Sequence, residues 1–180
     1  MKQERVMIFI DGSNFYHNLK NLFPDKKPFD FSFEKFVIFI SKNRELLKTN
    51  YYNAPLDIIQ DKDKYMKQQR FFDKIKRLPN FNFILCRMQK RNVGGVIIYE
   101  VKEDDIHLAV DMVKLAYRNA YDTAILVSSD GDFVPAVQAV KEIGKNIENI
   151  GFENKFSYHL KQESNKFFKL KKEFLEKFFE

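Results

Sequence analysis

Short runs of consecutive apolar residues alternate along this chain with longer stretches in which apolar positions recur every third or fourth residue. Arg5–Ile10 ("RVMIFI"), "NYYNAPL", "FNFILC", "TAILVSS" and "NIENIGF" have the length and continuity of strands, and the purest of them suit strands buried on both faces. Between them, Phe15–Leu22 has helical spacing and is closed by Pro24 and Pro28. A second helix is expected over "SFEKFVIFISKNRELL", with Ser32 able to cap it. A third spans "KDKYMKQQRFFDKIKRL", with Tyr65, Phe72, Ile75 and Leu78 among its apolar positions, and Pro79 and Asn80 stop it. "RMQKR" and "VIIYEV" flank "NVGG", which predicts a hairpin or a basic loop. Asp104 or Asp105 opens a helix reaching about Ala120, and Phe133–Ile143 forms another that ends before Gly144. In the tail, the spacing of Phe167, Leu170, Phe174 and Phe178 predicts an amphipathic helix over residues 166–180. Its lysines are balanced by glutamates, so packing on the domain or on a sister subunit is favoured over a membrane surface.

Strands alternating with helices imply a βαβ architecture and a largely parallel sheet. Functional groups in such sheets collect beyond the carboxyl ends of strands. Asp11 and Asp130 each follow a strand run directly, and Asp132 comes two residues after Asp130. Hard divalent cations prefer carboxylate oxygens, and clustered aspartates repel one another unless a cation neutralises them. Helix capping would explain any one of these aspartates. It explains less well two separate strand ends that both carry aspartate before glycine. Asn14 fits a cap or a hydrogen-bonding role at such a site, and Ser128 and Ser129 could offer hydroxyls to an aspartate or a phosphate.

Composition narrows the picture without choosing a chemistry. The 180 residues suit one domain with a real core, and no linker or repeat suggests a second. Cys86 sits in an apolar run and reads as a buried structural thiol. No stretch approaches the ~20 apolar residues that cross a bilayer, and the start lacks signal-peptide form, so a cytoplasmic location is expected. The net charge of +6 permits a polyanionic partner. Ten lysines and arginines face two aspartates between Lys62 and Arg91, with Tyr65, Phe71 and Phe72 interleaved. His17, His107 and His159 are scattered and read as structural or exposed. A phosphatase of the haloacid-dehalogenase type would want a second aspartate two residues after Asp11, where Ser13 stands. A dinucleotide-binding turn would want more glycine than "DGSNFY" carries.

Three blocks, "VMIFIDGSNFYHNL", "KEDDIHLAVDMVKLA" and "DTAILVSSDGDFVPAVQAVKEIGKNI", together resemble the NYN domain, in the LabA-like group related to PIN-domain nucleases. The resemblance runs from about residue 5 to 165. It implies a three-layer α/β sandwich with a mainly parallel central sheet, PIN-like and Rossmann-like in architecture, over residues 1–165. It also implies a ribonuclease site dependent on Mg²⁺ or Mn²⁺ and built from Asp11, Asp105, Asp111, Asp130 and Asp132, with Asn14 as a companion. Asp11, Asp130, Asp132 and Asp105 would be the metal ligands, and Lys102 falls on the family's lysine. The chain departs from the family where glycine and an apolar residue are usual, carrying Glu103 and Asp104. That leaves open which of Asp104 and Asp105 faces the site. At about 100° per residue, Asp105 shares no helix face with Asp111 unless it belongs to the helix's first turn, whereas Asp104 does. Arg87, Lys90, Arg91 and Lys102 are expected on the backbone phosphates of RNA, in single-stranded regions, and a homodimer is an open possibility. A non-catalytic RNA-binding or scaffold protein that keeps this fold is the alternative.

Overall fold

In a computed structural model the chain is described over residues 3–56 and 61–179, apart from the side chains of residues 88–91 and 96–102. Five of the apolar runs become the parallel strands β1 (Arg5–Asp11), β2 (Glu45–Asn53), β3 (Phe81–Leu85), β6 (Thr123–Val127) and β7 (Asn146–Phe152). A sixth strand, β8 (Lys166–Leu170), completes an all-parallel sheet in the order β3-β2-β1-β6-β7-β8. A separate antiparallel hairpin, β4 (Arg87–Val93) and β5 (Val96–Lys102), forms where "NVGG" predicts it. Gly94 and Gly95 supply its two positive φ angles.

Alternate residues of the central strands feed two cores, one on each face. Val6, Ile8 and Ile10 of β1 join a phenylalanine-rich cluster with α1 (Gly12–Leu22), α2 (Phe33–Ser41) and α3 (Lys62–Lys76). Met7 and Phe9 join a smaller-chained cluster with α4 (Asp104–Tyr117), α5 (Val134–Glu142) and α6 (Tyr158–Glu163). The result is three layers, helix on sheet on helix. From β1 the chain winds one way through β2 and β3, and from β6 the other way through β7 and β8. The neighbours β1 and β6 therefore flank the point where the winding reverses, which in open α/β sheets is where a crevice forms beyond the strands' carboxyl ends.

Two expectations fail for the same reason, that tertiary pairing outweighs local periodicity. The helix expected to continue through "RELL" stops at Ser41, because Lys42 and Asn43 take left-handed angles (φ 52° and 60°). Glu45 to Leu47 then enter β2 instead. Ser32 stands at the cap position of α2 but makes no side-chain capping bond there. The tail is likewise not a continuous helix over 166–180. Lys166–Leu170 pairs in parallel with β7, covering what would be an open sheet edge, and only Lys172–Glu176 is helical, as α7. Leu175 and Phe178 of this segment are buried in the phenylalanine-rich core of the same chain.

Candidate metal centre

Asp11 is the last residue of β1 and the cap of α1 at once. One carboxylate oxygen accepts the Asn14 N–H at 2.9 Å, and the other accepts the Ser128 hydroxyl at 3.0 Å. The turn between strand and helix is tight enough to demand glycine. A Cβ on Gly12 would lie 2.5 Å from the Tyr52 carbonyl oxygen and 2.6 Å from the Tyr51 ring. The capping that the sequence offered as the alternative to a site role does occur at this residue, and it leaves a site role open to the same carboxylate.

The end of β6 is stitched to Asp11 through its neighbours. Ser128 Oγ also accepts the Asp130 N–H at 3.1 Å, and Asp130 accepts the Asp132 N–H at 3.0 Å, capping the 3₁₀ turn Gly131–Phe133. Asn14 Oδ1 accepts the Ser129 N–H at 3.2 Å, and Ser129 Oγ accepts the Phe152 N–H at 3.3 Å. Asn149, which the sequence did not single out, donates from Nδ2 to the carbonyls of Leu126 and Ser128. The ends of β1, β6 and β7 thus form one hydrogen-bonded frame.

The remaining acids come from α4. Glu103 turns the chain with φ 84°, and Asp104 and Asp105 are the first two residues of the helix. Carboxylate oxygens of Asp11, Asp104 and Asp105 all lie within 4.8 Å of one another. The choice left open in the sequence dissolves: both Asp104 and Asp105 come to Asp11, and Asp104 is buried. Asp130 and Asp132 lie outside that group of three but close enough for their charges to act on Asp105. Asp111, seven residues beyond Asp104, is roughly 10 Å further along the helix axis. It accepts a hydrogen bond from the Tyr52 hydroxyl at 3.1 Å. Tyr52 is the register partner of Asp11 across the sheet, a link no sequence spacing announces.

Burial and the crowding of like charges both act on these acids. Burial, joined by the charges of Asp105 and Asp104, pushes the Asp11 carboxyl up to about 7, against the bonds from Asn14 and Ser128. Loss of solvation and the charges of Asp104, Asp130 and Asp132 raise Asp105 to about 6. Three hard oxygen donors from two elements, held together at that electrostatic cost, fit a divalent cation.

The basic residues are placed unevenly. The β4–β5 hairpin leaves the sheet just after Cys86, whose N–H bonds to the Asn53 carbonyl, and returns two residues before Asp104. Both roots of the hairpin are therefore at the crevice, and Arg87 is exposed at one of them, opposite Lys102 in the register. The side chains of Lys90, Arg91 and Lys102 lie outside the described residues. Cys86 is buried, and burial first, then nearby carboxylates, push its thiol up to about 12. His17, His107 and His159 are all exposed. Among the described residues, no helix is long and apolar enough to cross a membrane.

Comparison with known proteins adds three findings. The profile of the NYN domain matches residues 5–171. An uncharacterized protein of Methanocaldococcus jannaschii is 37% identical over 70 residues, which are 39% of this chain and 29% of that protein. The match thus spans less than a third of that relative's length. A protein of unknown function from Vibrio parahaemolyticus has the same fold, with a TM-score of 0.70 at 19% identity over 97% of this chain and 99% of that one.

Proposed function

This chain belongs to the NYN domain family, within the PIN-like nuclease superfamily, and from that premise we propose that it is a divalent-metal-dependent endoribonuclease. The observation that carries the reading is the triad of Asp11, Asp104 and Asp105, three carboxylates within 4.8 Å at the reversal point of the sheet. These three would hold the ion, Mg²⁺ or Mn²⁺. Asp130 and Asp132 would bind a second ion directly or through water, or orient the attacking water. Asp111, kept in place by Tyr52, would support the same edge of the crevice. A bound divalent ion supplies a Lewis acid for the scissile phosphate and makes a water more acidic. Asn14, Ser128 and Ser129 hold Asp11 and the Asp130 turn in register through the bonds described above. Arg87, Lys90, Arg91 and Lys102, on the hairpin rooted at the crevice, would contact backbone phosphates of single-stranded RNA. On this reading the departure from the family at Glu103 and Asp104 would add a carboxylate to the site rather than remove one. Membership of the LabA-like group rests on the three sequence blocks.

The test incubates the purified protein with single-stranded and structured RNA in Mn²⁺, Mg²⁺ or EDTA, beside Asp11→Asn, Asp104→Asn and Asp130→Asn. Cleavage that needs metal and falls at least ~100-fold in Asp11→Asn is expected, the scale of losing one charge-stabilising group at a reacting centre. RNA binding with no cleavage in any metal would instead make the protein an RNA-binding scaffold.

A further inference from the structure

On the face of the sheet that carries α1 and α3, opposite the face that carries α4, lies a cavity of about 90 Å³ between those two helices. Ser13, Tyr16, His17, Phe29, Asn53 and Gln68 are the lining residues that matter here. We propose that this cavity binds one unpaired nucleobase of the RNA, next to the phosphate cut at the aspartates, and so selects single-stranded substrate; the proposal rests on the ribonuclease reading above.

Placement is the first argument. The cavity begins at Ser13, two residues past Asp11 in the same turn, and Asn53 directly follows Tyr52, the register partner of Asp11. The second argument is the walls. Tyr16 and Phe29 lie with ring centroids 5.7 Å apart and planes inclined by 34°, and Tyr16 meets His17 edge-on at 5.6 Å. Tyr16 and Phe29 are only half-buried, so ring surface remains for a stacked heterocycle. Polar edges are the third. Asn53 Oδ1 accepts the Ala54 N–H at 2.8 Å, while its amide nitrogen makes only a long 3.4 Å contact with the Tyr51 hydroxyl. A base edge would offer it a better acceptor. Gln68 fixes the wall itself, accepting the Leu56 N–H at 2.7 Å and donating to the Ala54 carbonyl at 3.2 Å. Last, burial, joined by the charges of Lys20 and Lys155, holds the His17 pKa below the ordinary value.

The test measures affinity for short single-stranded oligoribonucleotides with cleavage-resistant phosphorothioate linkages, in Mg²⁺. A base-bearing oligonucleotide is compared with one that is abasic throughout, for the wild type, Tyr16→Ala and Tyr16→Phe. The wild type should prefer the base-bearing strand roughly tenfold, the scale of one stacked base. Tyr16→Ala should lose that preference while keeping its affinity for the abasic strand, which also reports that it is folded. Tyr16→Phe, which keeps the ring, should keep the preference. A wild type without the preference, or a Tyr16→Ala that retains it, overturns the pocket and leaves metal-dependent cleavage standing. Absence of both RNA binding and cleavage overturns the pocket together with the nuclease.

Discussion

Asp11 and Glu148 are each 4% exposed, one at the carboxyl end of β1 and the other within β7, and they have opposite fates. Burial alone would raise the pKa of both. At Glu148 that push is overcome: Arg44 donates to both carboxylate oxygens, at 3.0 and 2.9 Å, and Lys166 stands 3.4 Å away. Its carboxyl is held below the ordinary value. At Asp11 the bonds come from a backbone N–H and a hydroxyl, and the nearby charges are more carboxylates. A buried acid with its own arginine is part of the architecture. A buried acid among other acids carries a charge that a cation from outside the chain would neutralise.

The largest test of that contrast removes the cation the chain does supply. Arg44→Met leaves Glu148 buried without its principal partner and should cost about 3–5 kcal/mol, read from urea unfolding. Replacing both, as Arg44→Met with Glu148→Met, should recover most of the loss. If the single variant is as stable as the wild type, pairing does not separate the two acids and the contrast falls.

The next effect supplies the missing cation at the other acid. Mn²⁺ or Mg²⁺ at about a hundred times its dissociation constant should stabilise the wild type by about 2.7 kcal/mol. For a chain of this size that is roughly 5–10 °C in melting temperature. Asp11→Asn should lose the shift, yet be no less stable than the wild type in EDTA at neutral pH, since it removes a repelled charge. A full metal shift in Asp11→Asn would place the ion elsewhere.

Acidity separates the pair on a smaller scale. Because the folded-state pKa of Glu148 is lowered, the folded protein binds fewer protons there than the unfolded chain. Its contribution is present above the ordinary glutamate value of about 4.3 and is lost as pH falls through the folded value. Glu148→Gln should therefore cost about 2 kcal/mol at pH 7, with the gap to wild type closing below pH ~4 in denaturation curves. A gap that stays constant with pH would mean that Glu148 contributes shape and not charge.

The strands that position Asp11 and Asp130 were readable because both their faces are buried, so apolar residues run without interruption. Strand β8 was not, because "KFFKL" inside a longer phenylalanine–lysine stretch satisfies helical spacing equally well. Only the open edge of β7 decides it. Asp11 and Asp130 could be named from strand ends and resemblance, and Asp132 from its place beside Asp130. That Asp104 and Asp105 both reach Asp11 depends on the backbone angle of the residue before them, which periodicity does not encode. Tyr52 with Asp111, Asn149 with Ser128, and the lining of the base pocket join segments far apart in the chain, and a single sequence carries no signal for such pairs.

That backbone angle gives the smallest effect and a third kind of acid. Glu103 is exposed, and what sets it apart is its φ of 84°, a left-handed value at the position where the resemblance to the family implies glycine. A side chain there costs about 1–2 kcal/mol, partly offset because glycine loses more entropy on folding. Glu103→Gly should therefore raise stability by about 0.5 kcal/mol in urea unfolding. It also removes the 3.9 Å contact with His107, an exposed pair of little worth. Metal affinity and cleavage should stay within about twofold, since the proposed ligands are Asp11 and the two residues that follow Glu103. A large fall in metal affinity with unchanged stability would show instead that the Glu103 carboxylate is itself a ligand. The chain would then have exchanged the family's glycine for an additional donor, and the strain at that turn would serve the metal centre directly.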